Sequence, residues 1–305
     1  MKTPVAFLIF NRPDTTQRVF EAIRQAKPPI LLVVADGPRG DRPEEAKQCA
    51  ATRAIIETID WDCEVLKNYS EANLGCKNRV SSGLDWVFEQ VEEAIILEDD
   101  CLPDLSFFPF CEELLEKYRD NPKIMAISGD NFQFGRKRTE HSYYFSIYNH
   151  CWGWASWRRA WKYYDRDMTS WKQAKEKKLL NTIFSNYLAK YYWHRKFEQT
   201  YQKKYNTWDY QWTFTCWAKN GLTVLPEVNL VSNIGFNSQS THTSDQISPY
   251  SNMPTSAMKV PLEHPPSIIR CKKADDFTQN TKFGLISRAS QKIKTLIKNT
   301  FNQND

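Results

Sequence analysis

The chain has 305 residues, enough to bury a large core as one domain with an elaborated second half. Charged residues at 25% and hydrophobic residues at 41% match a soluble globular protein, and a net charge of +5 is too mild to mark a nucleic-acid binder. The 8 cysteines show no CxxC pair and no zinc-ligand spacing, and no apolar stretch is long enough to span a bilayer. Scattered thiols in a reducing cytoplasm are therefore expected, and nothing near Met1 reads as a signal peptide.

Val5 to Phe10 is a short apolar run that predicts a buried strand, punctuated by Asn11-Arg12-Pro13-Asp14. Thr15 to Ala26 places Val19, Phe20 and Ile23 on one face, a helix. Ile30 to Ala35 predicts a second strand that ends in the turn-rich Asp36-Gly37-Pro38-Arg39-Gly40. Glu44 to Ile59 reads as a helix, Cys63 to Leu66 as a strand and Leu74 to Val91 as a helix. Strands alternating with helices predict a mostly parallel sheet with helices on both faces. GxGxxG is absent after the first strand and GxxxxGK[ST] is absent throughout, which argues against dinucleotide and P-loop chemistry.

Glu98, Asp99 and Asp100 follow the apolar run Ala94-Ile95-Ile96-Leu97. Desolvating several adjacent carboxylates is costly unless something positive is bound, and a hard divalent cation is the simplest candidate. Ligands of open α/β sheets bind at the carboxyl ends of strands, where this triplet falls. Beyond it, Leu105 to Tyr118 predicts a helix and Ile124 to Ser128 a strand ending in Gly129-Asp130-Asn131. Tyr143 to Trp161 reads as aromatic-rich loops and Trp171 to Lys204 as one long charged helical stretch. Trp208 to Lys219 predicts a helix, Leu222 to Leu225 a strand and Val231 to Thr243 a polar loop. From residue 246 to 305 the chain reads as an irregular tail. Within it Ile286 to Phe301 has the spacing of a basic amphipathic helix, suited either to docking on its own domain or to an anionic membrane surface.

In this order the motifs resemble those of a GT-A-fold glycosyltransferase of the N-acetylglucosaminyltransferase I type, over about residues 3 to 245. Phe10-Asn11-Arg12 is similar to the family's Cys-Asp-Arg, and Ala35-Asp36-Gly37 lies where the family has a carboxylate for the nucleotide base. Glu98-Asp99-Asp100 matches its acidic motif, Ser128-Gly129-Asp130-Asn131 resembles its Ser-Ala-Trp-Asn-Asp, and Cys151-Trp152-Gly153-Trp154 its Gly-Leu-Gly-Trp. Trp208-Asp209 resembles the Trp-Asp that carries its catalytic base, although the second Trp follows one residue later here.

The resemblance implies a metal-dependent, inverting transfer from a nucleotide diphosphate sugar, a UDP-sugar by preference, to a hydroxyl of a glycan or lipid-linked acceptor. Residues 1–104 would bind the nucleotide sugar and metal, and 105–245 the acceptor and the base. Asp100 would hold Mn2+ or Mg2+. Asn11, Arg12, Asp36, Arg79, Glu98, Asp99 and His242 would contact the donor. Asp130, Asn131, Trp152 and Trp154 would face the acceptor, and Asp209 would be the base. Read alone, Asp209 fits a helix-cap acid equally well, Arg12 and Arg79 fit solvated charges, and the two tryptophans fit core packing. Two other activities compete: a nucleotidyltransferase acting on sugar phosphates, and a non-catalytic carbohydrate-binding relative. A cytoplasmic location is expected, with peripheral membrane contact through the C-terminal helix as its variant.

Overall fold

A computed structural model describes residues 1–236 and 248–284. The strands are β1 (Val5–Ile9), β2 (Ile30–Ala35), β3 (Glu64–Tyr69), β4 (Glu93–Glu98), β5 (Cys101–Pro103), β6 (Ile124–Ser128), β7 (Tyr143–Ser146), β8 (Trp154–Trp157), β9 (Leu222–Pro226) and β10 (Val231–Asn233). The helices are α1 (Pro13–Ala26), α2 (Pro43–Ile56), α3 (Gly75–Gln90), α4 (Phe107–Lys117), α5 (Arg158–Trp161), α6 (Trp171–Glu176), α7 (Leu179–Ile183), α8 (Tyr187–Tyr201), α9 (Asp209–Ala218) and α10 (Lys272–Thr278), followed by a π turn, Gln279–Phe283.

Eight strands form one sheet in the order β3-β2-β1-β4-β8-β6-β9-β7, and β10 pairs with β5 in a small second sheet. β1 to β4 run parallel, while β8 and β7 run against their neighbours. The chain steps one way across the sheet from β1 to β3, then returns through α3 to β4. Right-handed crossovers therefore put α1 and α2 on one face and α3 on the other. The fold is a mixed α/β architecture whose central sheet is mostly parallel, as the alternation of strands and helices predicts.

The first half follows its apolar runs. β1 is buried at every position, and α1 starts at Pro13, whose missing N–H is one the first turn could not have paired. Val19, Phe20 and Ile23 turn its apolar stripe inward. Gly83 of α3 lies so close to the sheet that a Cβ there would meet Val34 Cγ1 at 2.4 Å.

The second half departs from the sequence reading in four places. The expected loops of Tyr143 to Trp161 contain β7 and β8, which extend the sheet beyond β4 through the register Ile95 to Ala155. The single helical stretch of Trp171 to Lys204 is three helices, broken where Lys178 takes a left-handed conformation (φ 54) and where Asn186 caps α8 by accepting from the Leu188 and Ala189 amides. Val231–Asn233 is strand rather than loop. Residues 248–284 contain α10 and dock on the domain: Arg270 pairs with Asp275, which accepts from Ser146 Oγ. The amphipathic segment Ile286 to Phe301 lies outside the described residues. Among those described, no helix is long and apolar enough to cross a membrane.

Aromatic side chains fill the space between β8 and α9. The Trp154 ring lies 5.6 Å from Trp208, 5.8 Å from Trp212 and 6.2 Å from Trp161, and all four are buried. Trp154 thus supports the helix that begins at Asp209. Trp154→Ala is expected to cost about 3–5 kcal/mol of unfolding free energy in chemical denaturation, the usual toll for emptying a buried aromatic site. Trp154→Phe should recover most of it.

Candidate active-site cleft

Register brings the acidic triplet to its neighbours. Leu8 pairs with Glu98 and Ile9 with Ala35, so β1, β2 and β4 end level with one another. The residues just past those ends, Arg12, Asp36, Arg39, Asp99 and Asp100, line one cleft of about 380 Å³. Its opposite side comes from the second half: Cys151, Trp152, Thr207, Trp208, Asp209 and Asn233.

Arg12 organises the acids. Its guanidinium pairs with Asp99 and donates to Asp100 Oδ2 at 2.9 Å, while the Phe10 amide donates to the second Asp99 oxygen at 3.1 Å. Burial disfavours the charged guanidinium, but the two carboxylates more than offset this and raise its pKa. Among the described residues Glu98 has no such ion-paired cation. Burial, then Asp100 and Asp99, push its carboxyl up to about 8. Burial also raises Asp99, against the pull of Arg12. Gly235, just past β10, makes room for this cluster: a Cβ there would lie 2.1 Å from Asp100 Oδ2 and 2.8 Å from Arg12 Nη1.

Asp209 is the first residue of α9, where a negative charge suits the helix dipole. Trp208, stacked on Trp154, fixes the chain before it, and the Thr207 hydroxyl donates to its carboxylate. Its charge acts on Glu98, so the two lie close enough to interact across the cleft. The Cys76 thiol also lines the cleft, but burial and the surrounding acids raise its pKa and keep it neutral.

Of the residues the sequence singles out, Arg12, Asp36, Arg79, Glu98, Asp99, Asp100, Trp152 and Asp209 line this cleft. Two of them are committed to the fold. Asp36 accepts four hydrogen bonds, from Gly37 N, Asn73 Nδ2, Leu74 N and Gly75 N, and so caps α3 with every lone-pair direction used. Arg79 donates to the Ala35 and Asn68 carbonyls and to Asn68 Oδ1. Asp36 has no lone-pair direction left for a uracil ring, whereas the Nη1 of Arg79 takes part in none of these bonds. Asn11 turns away to Glu45 at 2.9 Å.

On the acceptor side, Asn131 bridges the Pro226 and Glu227 carbonyls, and Trp154 is core; neither lines the cleft. Asp130 is fully buried behind Trp152, whose backbone N–H donates to its Oδ2 at 3.2 Å, and its Oδ1 has no partner among the described residues. His242 lies outside the described residues. The cleft adds residues that the motifs did not indicate: Arg39, Asn73, Cys76, Asn206, Thr207 and Asn233. Only Asn206-Thr207, polar residues just before an aromatic helix start, left a readable signal.

Among the described residues, no group of three or more His, Cys, Asp or Glu side chains is arranged to enclose a metal ion. The donor chemistry nevertheless fits a hard cation shared with a ligand. Glu98, Asp99, Asp100 and Asp209 line a cleft in which Arg12 is their only ion-paired cation, and one protein carboxylate beside ligand phosphates is a common way to hold such an ion.

Neither a protein-family model nor a curated protein matches the chain. Solved structures similar to it include the 4-diphosphocytidyl-2C-methyl-D-erythritol synthase of Anaerococcus prevotii, at 11% identity and a TM-score of 0.31, covering 52% of this chain and 72% of that one. A UDP-glucose pyrophosphorylase complexed with UDP-glucose gives 14%, 0.28, 49% and 64% for the same measures. An apo UDP-glucose pyrophosphorylase gives 9%, 0.36, 75% and 93%. None of the three is an N-acetylglucosaminyltransferase, and these scores assign no activity to the chain.

His150 supplies a pH prediction. It is buried beside Phe132, and burial, then the charge of Lys282, hold its pKa well below 6.5. The unfolded chain therefore takes up a proton near pH 6.5 that the fold refuses. Stability from this group is complete above pH 6.5 and is lost as pH falls, by up to about 1.4 kcal/mol per unit. Denaturation at pH 7.5 and 5.5 should show a smaller acid loss in His150→Gln than in the wild type.

Proposed function

We propose that the protein is a metal-dependent glycosyltransferase that moves a sugar from a nucleotide diphosphate, a UDP-sugar by preference, to a hydroxyl of a glycan or lipid-linked acceptor. The observation that carries this reading is the sharing of one cleft by an acid cluster at the strand ends and a separate carboxylate, Asp209, held at a helix start. Asp100, with Glu98 beside it, would hold Mn2+ or Mg2+ against the diphosphate. When bound, the ion would offset the negative charge that builds on the leaving diphosphate. Arg12 keeps Asp99 and Asp100 in place at the diphosphate end. Asp209 would take the proton from the acceptor hydroxyl as that oxygen attacks the anomeric carbon, giving inversion in a single displacement. The stacked Trp208 and Trp154 fix its position, so the base moves little between substrates.

A second reading keeps the same nucleotide and sugar but makes or breaks the phosphate link: a nucleotidyltransferase acting on sugar phosphates. The similar structures named above include enzymes of that kind, the UDP-glucose pyrophosphorylases. A triphosphate and a sugar phosphate together call for several free cations. Two of the guanidiniums lining this cleft are neutralised, Arg12 by Asp99 and Asp100 and Arg39 by Glu45, which leaves Arg79 as the one without a carboxylate partner among the described residues. That arrangement favours sugar transfer. Product analysis separates the readings, with nucleoside diphosphate expected for glycosyl transfer and pyrophosphate for the alternative.

Asp100→Ala should abolish turnover and metal-dependent nucleotide binding. Asp209→Asn should lower kcat about 10²–10⁴-fold and leave the donor Kd unchanged, as expected for loss of a base. Gly235→Ala, whose new methyl pushes on Asp100 and Arg12, should weaken nucleotide binding more than tenfold while the circular-dichroism spectrum stays native. A Gly235→Ala protein with wild-type affinity would show that the cluster's geometry is not what binds.

A further inference from the structure

The first turns of α8 are apolar on both sides of the helix. Ala189, Tyr192, Trp193 and Phe197 turn inward. Trp193 packs on Trp217 at 4.6 Å and Phe197 on Trp171 at 5.5 Å, which uses up the inner face. The outer face carries Tyr187, Leu188, Tyr191, His194 and Arg195, all exposed. At about 100° per residue these five fall within about one third of the circumference, a single solvent-facing stripe. Where a surface helix normally places charged groups, Tyr187, Leu188 and Tyr191 stand 75%, 54% and 49% exposed. Tyr187 is the most exposed large hydrophobic residue among those described, and Ile269 follows it at 71%. Arg270, the neighbour of Ile269, donates to the Ile183 carbonyl at 3.1 Å, three residues before the Asn186 cap of α8.

The net charge of the chain is concentrated around the same helix. Residues 171–201, from α6 through α8, hold seven Lys and Arg against two acids, Glu176 and Glu198, a net charge of +5. The whole chain is also +5, so everything outside this stretch sums to zero. Two of the seven cations are used within the fold: Lys175 pairs with Glu198, and Lys196 donates to Tyr205 Oη at 3.1 Å. Lys172, Lys177, Lys178 and Arg195 are exposed and enter no ion pair among the described residues. An apolar stripe set among exposed cations is the surface that needs a partner.

We infer that the outer face of α8 docks on an anionic lipid surface, with Tyr187, Leu188 and Tyr191 entering the headgroup region and the nearby cations resting on lipid phosphates. Charge decides among the occupants. A second copy of the chain would set one +5 surface against another. Residues 285–305 of the chain itself carry Arg288, Lys292, Lys294 and Lys298 against Asp305, so they are repelled as well. A nucleic acid would answer the cations and stack on the tyrosines, yet it has nothing to cover Leu188 or Ile269. A bilayer places negative headgroups over an apolar layer. Tyrosine suits that boundary because its ring is apolar and its hydroxyl polar. The inference does not depend on which reaction the cleft performs.

The test is co-sedimentation of the full chain with vesicles of equal parts phosphatidylglycerol and phosphatidylcholine, with pure phosphatidylcholine vesicles as the control. The wild type should bind the anionic vesicles at least tenfold more tightly than the neutral ones and release them in high salt. The Tyr187→Ala/Leu188→Ala/Tyr191→Ala variant trades exposed side chains for a good helix former, so its circular-dichroism spectrum should stay native. Its partition onto anionic vesicles should fall at least tenfold. Lys292→Glu/Lys294→Glu/Lys298→Glu, which changes only the C-terminal segment, should bind within threefold of wild type. Equal vesicle binding by the triple-alanine variant and the wild type would overturn the proposal, as would a wild type that binds no anionic vesicle. Loss of binding in the C-terminal variant alone would overturn it too, by moving the contact to that segment. So would a wild type that retains fluorescent poly(U) through this face in place of vesicles.

Discussion

The structure depends first on the pairing of Arg12 with Asp99 and Asp100. Two adjacent carboxylates at the end of a buried strand cannot stay ionised without a positive partner, and this one comes from the turn that follows β1. The pairing therefore closes the end of β1 onto the end of β4, as the backbone bond from Phe10 to Asp99 also does. Removing one member of such a buried pair usually costs about 3–5 kcal/mol, because the other charge is left uncompensated. One guanidinium answers two acids, and Glu98 beside them is left without a cation. The cluster is thus complete as a fold element and still short of positive charge as a binding site.

The other half of the cleft is built on different physics. Among the described residues no ion pair reaches Asp209; stacked tryptophans and the Thr207 hydroxyl place it. β8 brings Trp154 into the sheet, Trp154 stacks on Trp208, and Trp208 immediately precedes the carboxylate. The high aromatic content of the second half is therefore mainly a scaffold, and Trp152 and Trp208 are its rings that line the cleft. A polar, acid-rich wall faces a rigid aromatic one, which suits a site that must hold a metal-bound diphosphate and also orient a sugar.

The first hundred residues were largely legible because each buried parallel strand is a continuous apolar run and each intervening helix has its own stripe. β7 and β8 were not, since four-residue strands buried on both faces and rich in Tyr and Trp show no period that separates them from a packed loop. The break of the long helical stretch had one readable sign, Asn186, a capping residue placed before a new turn. At the site, the acids and Asp209 stood out through position and neighbours. Asp36 and Arg79 also stood out, yet their partners are backbone groups of other elements, which residue type cannot reveal.

These features describe a cleft whose acids outnumber the cation that pairs with them. The most direct test is calorimetric titration of the wild-type protein with UDP, once with Mn2+ and once with EDTA. Binding in manganese that weakens at least tenfold in EDTA is the predicted result. Equal binding under both conditions, or none under either, would contradict the account.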